Sequence, residues 1–197
     1  MENNNQKKIL VIAGPTGVGE STVTKKIIEK FPIFTRLVTA TTRQPRLNEK
    51  NGIDYYFFTE EEFKNNINNG DIIEHQNNRD GIYYGSYKPD LEKKLKDGLN
   101  IIMNPDIVGA KYYKKNYNAV TIFLMPDSFE NLKKRHINRS SDFNSDDLKK
   151  RLDYAKREIE EESPFYDYKI VNAQGKLSET IEKITKILET EGYILKK

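Results

Sequence analysis

The stretch that most constrains the fold lies near the amino terminus. Ile9–Ala13 is apolar throughout, and three glycines follow it within six residues. Between Val23 and Phe31, apolar residues then recur at spacings of four, one and three, which is the period of a helix. Glycines let successive backbone N–H groups point to one place, and a helix N-terminus adds partial positive charge. The order strand, glycine turn, helix therefore predicts a phosphate-binding loop.

The loop fits the pattern G-x-x-x-x-G-K-[ST] at every fixed position except the lysine, where the chain has Glu20. A lysine there places a positive charge beside the β- and γ-phosphates, whereas a glutamate places a negative one. A charge pair 4 Å apart is worth on the order of 4 kcal/mol at an effective dielectric near 20. The exchange therefore predicts a loss of about a thousandfold or more in rate. Lys25 and Lys26 lie a turn or more along the helix and are not placed to substitute.

Two other interpretations of Glu20 stay open at this point. The side chain could turn to solvent and leave a weakly active site, or the glutamate could be a substituted residue, since one base separates AAA from GAA.

Composition excludes several other classes of protein. The 197 residues are enough for one domain with a sizeable core. The 33 Lys and Arg nearly balance 30 Asp and Glu, and no long basic run points to a nucleic-acid partner. The absence of cysteine excludes disulfides and thiolate zinc sites, and two histidines argue against a histidine metal site. No apolar run approaches eighteen residues, and the polar start, Met1–Gln6, lacks the core of a signal peptide, so a cytoplasmic protein is predicted.

The remaining patterns predict an α/β fold, with a P-loop-type parallel sheet flanked by helices. Strand and helix patterns alternate in a core of residues 7–34, 88–126 and 163–197. Residues 35–87 instead carry short strand patterns at 35–40, 52–58, 72–76 and 82–86, and are predicted to form an inserted β-rich lobe. Residues 127–162 form a second, helical lobe. All of it belongs to one domain, 1–197.

Two local predictions concern the helical lobe. Asp127 is expected to cap a helix that runs to about Asn138, followed by a polar loop at residues 139–146 and a long helix. The basic run Lys133–Arg135 is expected to be a solvated helix face, and His136 an ordinary residue.

Two sets of side chains after the loop are suited to a nucleotide. Guanidiniums and phenols suit a second phosphate, because arginine donates in a bidentate fork and tyrosine gives neutral hydrogen bonds; these are Arg43, Arg46, Tyr55 and Tyr84. Hydroxyls and carboxylates suit the N1–H and amine edge of guanine; these are Thr39, Glu74, Ser86 and Asp106. Two anion sites and a carboxylate pocket fit phosphoryl transfer between nucleotides.

With these motifs, over roughly residues 7–190, the chain resembles the guanylate kinases. The matching text is Gly14-x-x-Gly17-x-Gly19-x-Ser21, Thr41-Thr42-Arg43-x-Pro45-Arg46-x-x-Glu49, Gly52-x-Asp54-Tyr55-x-Phe57, Ile73-Glu74, Tyr83-Tyr84-Gly85-Ser86, Asp106-x-x-Gly109, and Arg139 through Lys150-Arg151-Leu152 to Val171-Asn172. The resemblance implies transfer of the γ-phosphoryl of ATP to GMP with Mg²⁺, in purine nucleotide metabolism.

The resemblance also implies residue roles. ATP would be bound by Gly14, Pro15, Thr16, Gly17, Val18, Gly19, Glu20, Ser21, Thr22 and Asn172, with Ser21 reaching the magnesium ion. GMP would be bound by Thr39, Arg43, Arg46, Glu49, Tyr55, Glu74, Tyr84, Ser86 and Asp106. Arg139 and Arg151 would come from a mobile lid, residues 127–162, and act with Arg43 on the charge of the transferred group.

The chain departs from the family at Asn48, where a glycine is usual, and at Asn104, where an acid is common. Thr39 replaces the usual serine and keeps the hydroxyl. Loss of the lysine at Glu20 also fits a rival function, since guanylate-kinase-like domains of scaffolding proteins bind phosphorylated peptides without turnover. Nucleic-acid binding has only mild basicity in its favour, and a different nucleoside monophosphate is disfavoured by Glu74 and Asp106.

Overall fold

A computed structural model describes residues 7–77, 81–139 and 145–196. The strands are β1 Ile9–Ala13, β2 Phe34–Arg36, β3 Thr39–Thr41, β4 Tyr56–Phe57, β5 Ile72–Asn77, β6 Tyr83–Tyr87, β7 Asn100–Met103, β8 Val120–Met125 and β9 Tyr168–Val171. The helices are α1 Glu20–Lys30, α2 Glu60–Asn68, α3 Lys88–Lys96, α4 Ile107–Tyr117, α5 Phe129–Arg139, α6 Ser145–Arg157 and α7 Leu177–Thr190. A π-helical turn, Glu158–Glu162, and a 3₁₀ turn, Ser163–Phe165, follow α6.

The chain forms two compact units. The first unit is Met1–Ile33 with Ile102–Lys197, and the second unit is Phe34–Ile101. The earlier division into core, lobe and lid stays a prediction.

The central sheet has the strand order β2-β7-β1-β8-β9. Its middle is parallel: Leu10 to Ala13 of β1 face Val120 to Phe123 of β8, and Ile122 to Met125 of β8 face Tyr168 to Val171 of β9. All of β1 is buried, as expected for a strand covered on both faces. The predicted α/β fold is confirmed.

The second unit contains a four-stranded sheet in the order β4-β3-β6-β5. Its core is Ala40, Phe63 and Ile72, covered by a rim of aromatic rings. Gly85 in β6 is required by close packing, because a Cβ there would lie 2.7 Å from the side chain of Ile72. Helix α2 begins with a capping box between Thr59 and Glu62.

Two predicted strands of this region are shorter than expected. The pattern at 35–40 is divided between β2 and β3, because the N–H of Val38 donates to the Asp90 carboxylate at 3.0 Å instead of to a strand. The pattern at 52–58 yields only Tyr56–Phe57, since Gly52 takes a left-handed φ of 75° and the chain turns there. Asn48 has a φ of 73°, as expected for a residue in the place of a glycine.

The predicted cap and loop of the helical lobe need correction. Ser128 takes the capping role predicted for Asp127, because its hydroxyl accepts the N–H of Asn131 at 3.1 Å. Asp127 instead accepts the N–H groups of Ser128 and Gln174, and the latter contact lowers its pKa. Of the predicted loop, 140–144 lie outside the described residues, and helix α6 already begins at Ser145.

No helix in the described part of the chain is long and apolar enough to cross a membrane.

Candidate active site

The loop between β1 and α1 has the backbone of an anion cradle. Gly17 and Gly19 have φ values of 88° and 105°, which glycine adopts at little cost. Gly19 precedes helix α1, and no side chain from the described residues caps its first turn. Ser21 and Thr22 are exposed in that turn. The helix terminus therefore presents backbone N–H groups and two hydroxyls to a ligand.

Close packing holds the back of this phosphate loop, residues 14–22. Val18 is fully buried, and its carbonyl accepts hydrogen bonds from Arg135 Nη1 at 2.9 Å and from Asn172 Nδ2 at 2.8 Å. A Cβ on Gly19 would lie 2.8 Å from that Nδ2 atom, and one on Gly17 would lie 3.3 Å from the ring of His136. These two positions therefore require glycine for space as well as for backbone angle.

Arg135 and His136 are the residues that the sequence interpretation missed. Arg135 is half-buried and also donates to the Asn172 carbonyl and the Gln174 side chain, at 2.9 and 3.0 Å, so it is no solvated surface residue. His136 is 2 % exposed and lies against the loop. Their spacing in the sequence could have indicated this packing, because Arg135 and His136 lie at i+3 and i+4 from Leu132, on the same face of the helix.

An open pocket of about 520 Å³ adjoins the phosphate loop within the first unit. Its lining residues are Gly17, Gly19, Glu20, Ser21, Thr22, Arg135, Asn172, Ala173, Gln174, Gly175 and Leu177. Of the residues predicted to bind ATP, Gly17, Gly19, Glu20, Ser21, Thr22 and Asn172 thus line one pocket, whereas Gly14, Pro15, Thr16 and Val18 are not among its lining residues. A pocket of this size, with anion-binding backbone at one end, accommodates a nucleotide.

Glu20 begins α1 inside this site. The pKa of its carboxyl is raised to about 8, chiefly by burial and then by the negative charge of Glu158, while a hydrogen bond from the Gly14 backbone acts in the opposite direction. Glu158 has a pKa of about 7 for a similar reason, burial beside Glu162. Lys25 and Lys26 bind Glu29 on the exposed side of α1, so neither takes the place of the missing lysine.

Two polar residues follow β7 in the first unit. Asn104 donates from Nδ2 to the Ile12 carbonyl at 2.8 Å, and its Oδ1 accepts the Thr24 hydroxyl at 3.1 Å. It therefore connects β1 and α1, the strand and the helix on either side of the loop. Asp106 caps α4 by accepting the N–H of Gly109 at 2.9 Å. Its predicted role toward guanine stays a prediction.

The lid arginines are located only in part. Arg139 is the last residue of α5, and its side chain lies outside the described residues. Arg151 lies on α6 and is exposed. Their role in phosphoryl transfer stays a prediction.

In the second unit, the residues predicted to bind a phosphate surround Arg43. Its guanidinium donates to both carboxylate oxygens of Glu49, at 3.0 and 2.9 Å, and lies 5.4 Å from the centre of the Tyr55 ring. Tyr84 packs on Tyr55 with ring centres 6.1 Å apart. The hydrogen bonds that it donates to Glu49 and Tyr84 raise the arginine's pKa, so it stays charged. Arg46 donates its backbone N–H to Glu49 at 2.7 Å and is exposed.

The residues predicted to recognise guanine share adjacent strands of the same sheet. Thr39 on β3 is the antiparallel partner of Ser86 on β6. Ser86 Oγ donates to the carboxylate of Glu74 on β5 at 2.5 Å. This places three of the four predicted residues together.

The parallel sheet and its glycine loop define a P-loop nucleotide-binding protein, and comparison with known proteins identifies the family. Residues 6–191 match the guanylate kinase family. The chain is 40% identical over 192 residues to the guanylate kinase of Clostridium perfringens (strain SM101), covering 97% of this chain and 87% of that protein. It is 39% identical over 185 residues to that of Geobacter metallireducens, covering 93% and 88%. The crystal structure of guanylate kinase from Anaplasma phagocytophilum aligns with a TM-score of 0.70 at 34% identity, covering 95% and 87%. This chain belongs to the guanylate kinase family.

Proposed function

We propose that this protein transfers the γ-phosphoryl group of ATP to GMP, giving ADP and GDP. The observation that carries the proposal is the cluster around Arg43, in which a paired guanidinium and two phenols converge in the second unit. This donor set suits a phosphate monoester, and the neighbouring Ser86 and Glu74 suit the hydrogen-bond donors of guanine. Membership of the guanylate kinase family supports the same substrates.

ATP binds in the pocket beside the phosphate loop of the first unit. Backbone N–H groups of the loop receive its phosphates, and Asn172 and Arg135, which hold the loop at Val18, line the same pocket. No covalent intermediate with the protein is needed, since phosphoryl transfer depends mainly on positioning and charge stabilisation. Arg43, Arg139 and Arg151 supply positive charge to the transferred group.

Magnesium is the cofactor that this chemistry implies, and the residues of the loop fit it. Within the described ranges, no group of three or more acidic or histidine side chains is placed to hold a metal. Mg²⁺ at kinase sites typically needs few protein ligands, because substrate phosphates and water supply the others. The exposed hydroxyl of Ser21, in the first turn of α1, is the protein ligand we assign. The bound ion neutralises charge on the phosphates.

Glu20 limits the rate of this reaction. With a pKa of about 8, its carboxyl is largely protonated at neutral pH, so it withholds the expected positive charge without adding a full negative one. The protein is then a slow guanylate kinase that acts in the cytoplasm, in purine nucleotide metabolism. A second candidate, favoured by Glu20 alone, is a module that binds GMP or a phosphopeptide and does not turn ATP over.

The test is a coupled assay of ADP release with GMP, ATP and Mg²⁺. It compares the unmodified protein with Glu20→Lys and with Glu29→Lys, which makes the same charge change on the exposed side of α1. We expect Glu20→Lys to be faster by on the order of a hundredfold or more, because a charge pair in the site is worth several kcal/mol. Glu29→Lys should leave the rate unchanged.

The other outcomes distinguish the two candidates. If neither variant nor the unmodified protein releases ADP while calorimetry still shows GMP binding, the binding module is the better account. If GMP does not bind at all, both candidates are refuted. AMP used in preference to GMP would refute the guanine assignment of Glu74 and Ser86.

A further inference from the structure

A chain of three buried groups lies behind the nucleotide pocket. Thr180 Oγ donates to Oδ1 of Asn172 at 3.0 Å, and Nδ2 of the same amide donates to the carbonyl of Val18 at 2.8 Å. The exposed fractions of Thr180, Asn172 and Val18 are 1%, 6% and 0%. A carbonyl only accepts hydrogen bonds, so Nδ2 has to face Val18 and Oδ1 is left for the hydroxyl. The Val18 carbonyl therefore sets which way the amide faces, and the threonine hydroxyl holds the oxygen end of the amide in place.

The amide in turn fixes the phosphate loop. The Val18 carbonyl is held by two donors, the Asn172 amide and Arg135 Nη1, and Arg135 also donates to the Asn172 carbonyl. Gly19 lies immediately beside the amide, where even a methyl group would come within 2.8 Å of Nδ2. A rotated Asn172 would release the carbonyl of Val18, the residue next to Gly19, which immediately precedes helix α1.

We propose that Thr180 is a positioning residue of the nucleotide site. It is not among the residues that line the pocket, so it acts on a bound nucleotide only through Asn172 and Val18. Its hydroxyl keeps the amide in the one rotation that holds the loop open for phosphates. The inference deepens the proposed function, since it rests on that pocket being the ATP site.

The matched control lies on the same helix, α7. Thr185 donates its hydroxyl to the Ile181 carbonyl at 2.8 Å and accepts from Lys30 at 3.0 Å. It contacts neither the loop nor Asn172 in these bonds. A threonine-to-valine change at 185 therefore removes the same hydroxyl from the same helix while leaving the amide in place.

The experiment measures ADP and GMP affinity by calorimetry for the full chain and for Thr180→Val, Thr180→Ser and Thr185→Val. Removal of the hydroxyl leaves one buried acceptor of Asn172 without its donor, and the free variant relieves this by rotating the amide away from Val18. Binding of ADP then has to reverse that rotation, which lowers the ADP affinity by a factor of about five to thirty. We expect Thr180→Val to weaken ADP by that factor and to leave GMP unchanged, while Thr180→Ser and Thr185→Val match the unmodified protein. In the kinetic assay the same variant should raise the KM for ATP and not that for GMP.

Equal ADP affinity in Thr180→Val and the unmodified protein would overturn the positioning role. So would a parallel loss of ADP and GMP affinity together with a lower melting temperature, because that pattern indicates a general packing defect. Should Thr180→Val fail to fold, Thr180→Ala removes the same hydroxyl without the extra methyl group and is judged by the same ADP-to-GMP comparison. If the unmodified protein itself binds GMP but not ADP, it is the proposed ATP site that fails.

Discussion

Replacing Glu20 by glutamine should stabilise the protein, and the gain should grow with pH. An ordinary glutamate titrates at 4.5, and burial beside Glu158 raises the pKa of Glu20 to about 8 in the folded chain. Well below pH 4.5 the folded and the unfolded chain both hold the proton, and the carboxyl does not change the free energy of unfolding. Between 4.5 and 8 the unfolded chain releases the proton while the folded chain keeps it, so stability falls as pH rises. Above pH 8 the carboxyl is ionised in both the folded and the unfolded chain, and the full destabilisation of the folded state remains.

The shift sets the size of the effect. Each pKa unit corresponds to 1.36 kcal/mol, so a shift from 4.5 to about 8 costs the folded state about 5 kcal/mol above pH 8. Glutamine has nearly the same shape, carries no charge, and can still accept the hydrogen bond from the Gly14 backbone. The variant should therefore exceed the unmodified protein by less than about 1 kcal/mol at pH 5 and by several kcal/mol at pH 8.5.

Urea unfolding at pH 5, 6.5 and 8.5 in the absence of nucleotide measures this difference. Glu29→Gln is the matched control on α1, because pairing with Lys26 lowers the pKa of Glu29, and glutamine there should bring no pH-dependent gain. A stability difference between Glu20→Gln and the unmodified protein that is the same at pH 5 and pH 8.5 would refute the buried, protonated carboxyl.

Four further predictions follow from the same contacts. ADP affinity of the unmodified protein should fall as pH rises above 8, by calorimetry, and should fall less in Glu20→Gln, because the ionised carboxylate repels phosphate. Asn104→Asp should lower the free energy of unfolding in urea at pH 7.5 by about 1–3 kcal/mol, since a carboxylate cannot donate to the Ile12 carbonyl; equal stability would contradict this. Gly19→Ala should weaken ADP binding more than Gly192→Ala, which shares the left-handed backbone but meets no atom within 4 Å. Arg43→Lys should reduce GMP affinity by on the order of tenfold and leave ADP unaffected, because the bidentate fork is lost.

The fold was largely predictable because buried parallel strands give a strong local signal. Val120–Met125 is a largely apolar stretch between helix patterns, and it forms a strand that is buried over five of its six residues. The prediction of one strand at 35–40 was wrong because the N–H of Val38 donates to Asp90, which lies 52 residues away in the sequence. No local pattern contains that contact.

The site was predictable where the backbone defines it and not where distant side chains complete it. Glycine spacing predicted the strand, turn and helix order of the loop, and Asn172 lines the same pocket as five of the loop residues. Their binding of ATP stays a prediction. Arg135, by contrast, lies in a run of three basic residues that look alike in sequence. What distinguishes it from its neighbours are its contacts with distant parts of the chain, the carbonyls of Val18 and Asn172 and the side chain of Gln174.

Glu20 shows why the sequence gives a residue's type but not its charge. The sequence interpretation counted both a lost attraction and an added repulsion, which together predicted at least a thousandfold loss. The carboxyl is buried near Glu158 and keeps its proton up to about pH 8, so the repulsion is largely absent at neutral pH and only the attraction is lost. The difference is measurable: Glu20→Gln should then change the neutral-pH rate little, whereas Glu20→Lys should raise it. Equal gains from glutamine and lysine in the ADP-release assay would show instead that repulsion by an ionised Glu20 is the dominant defect.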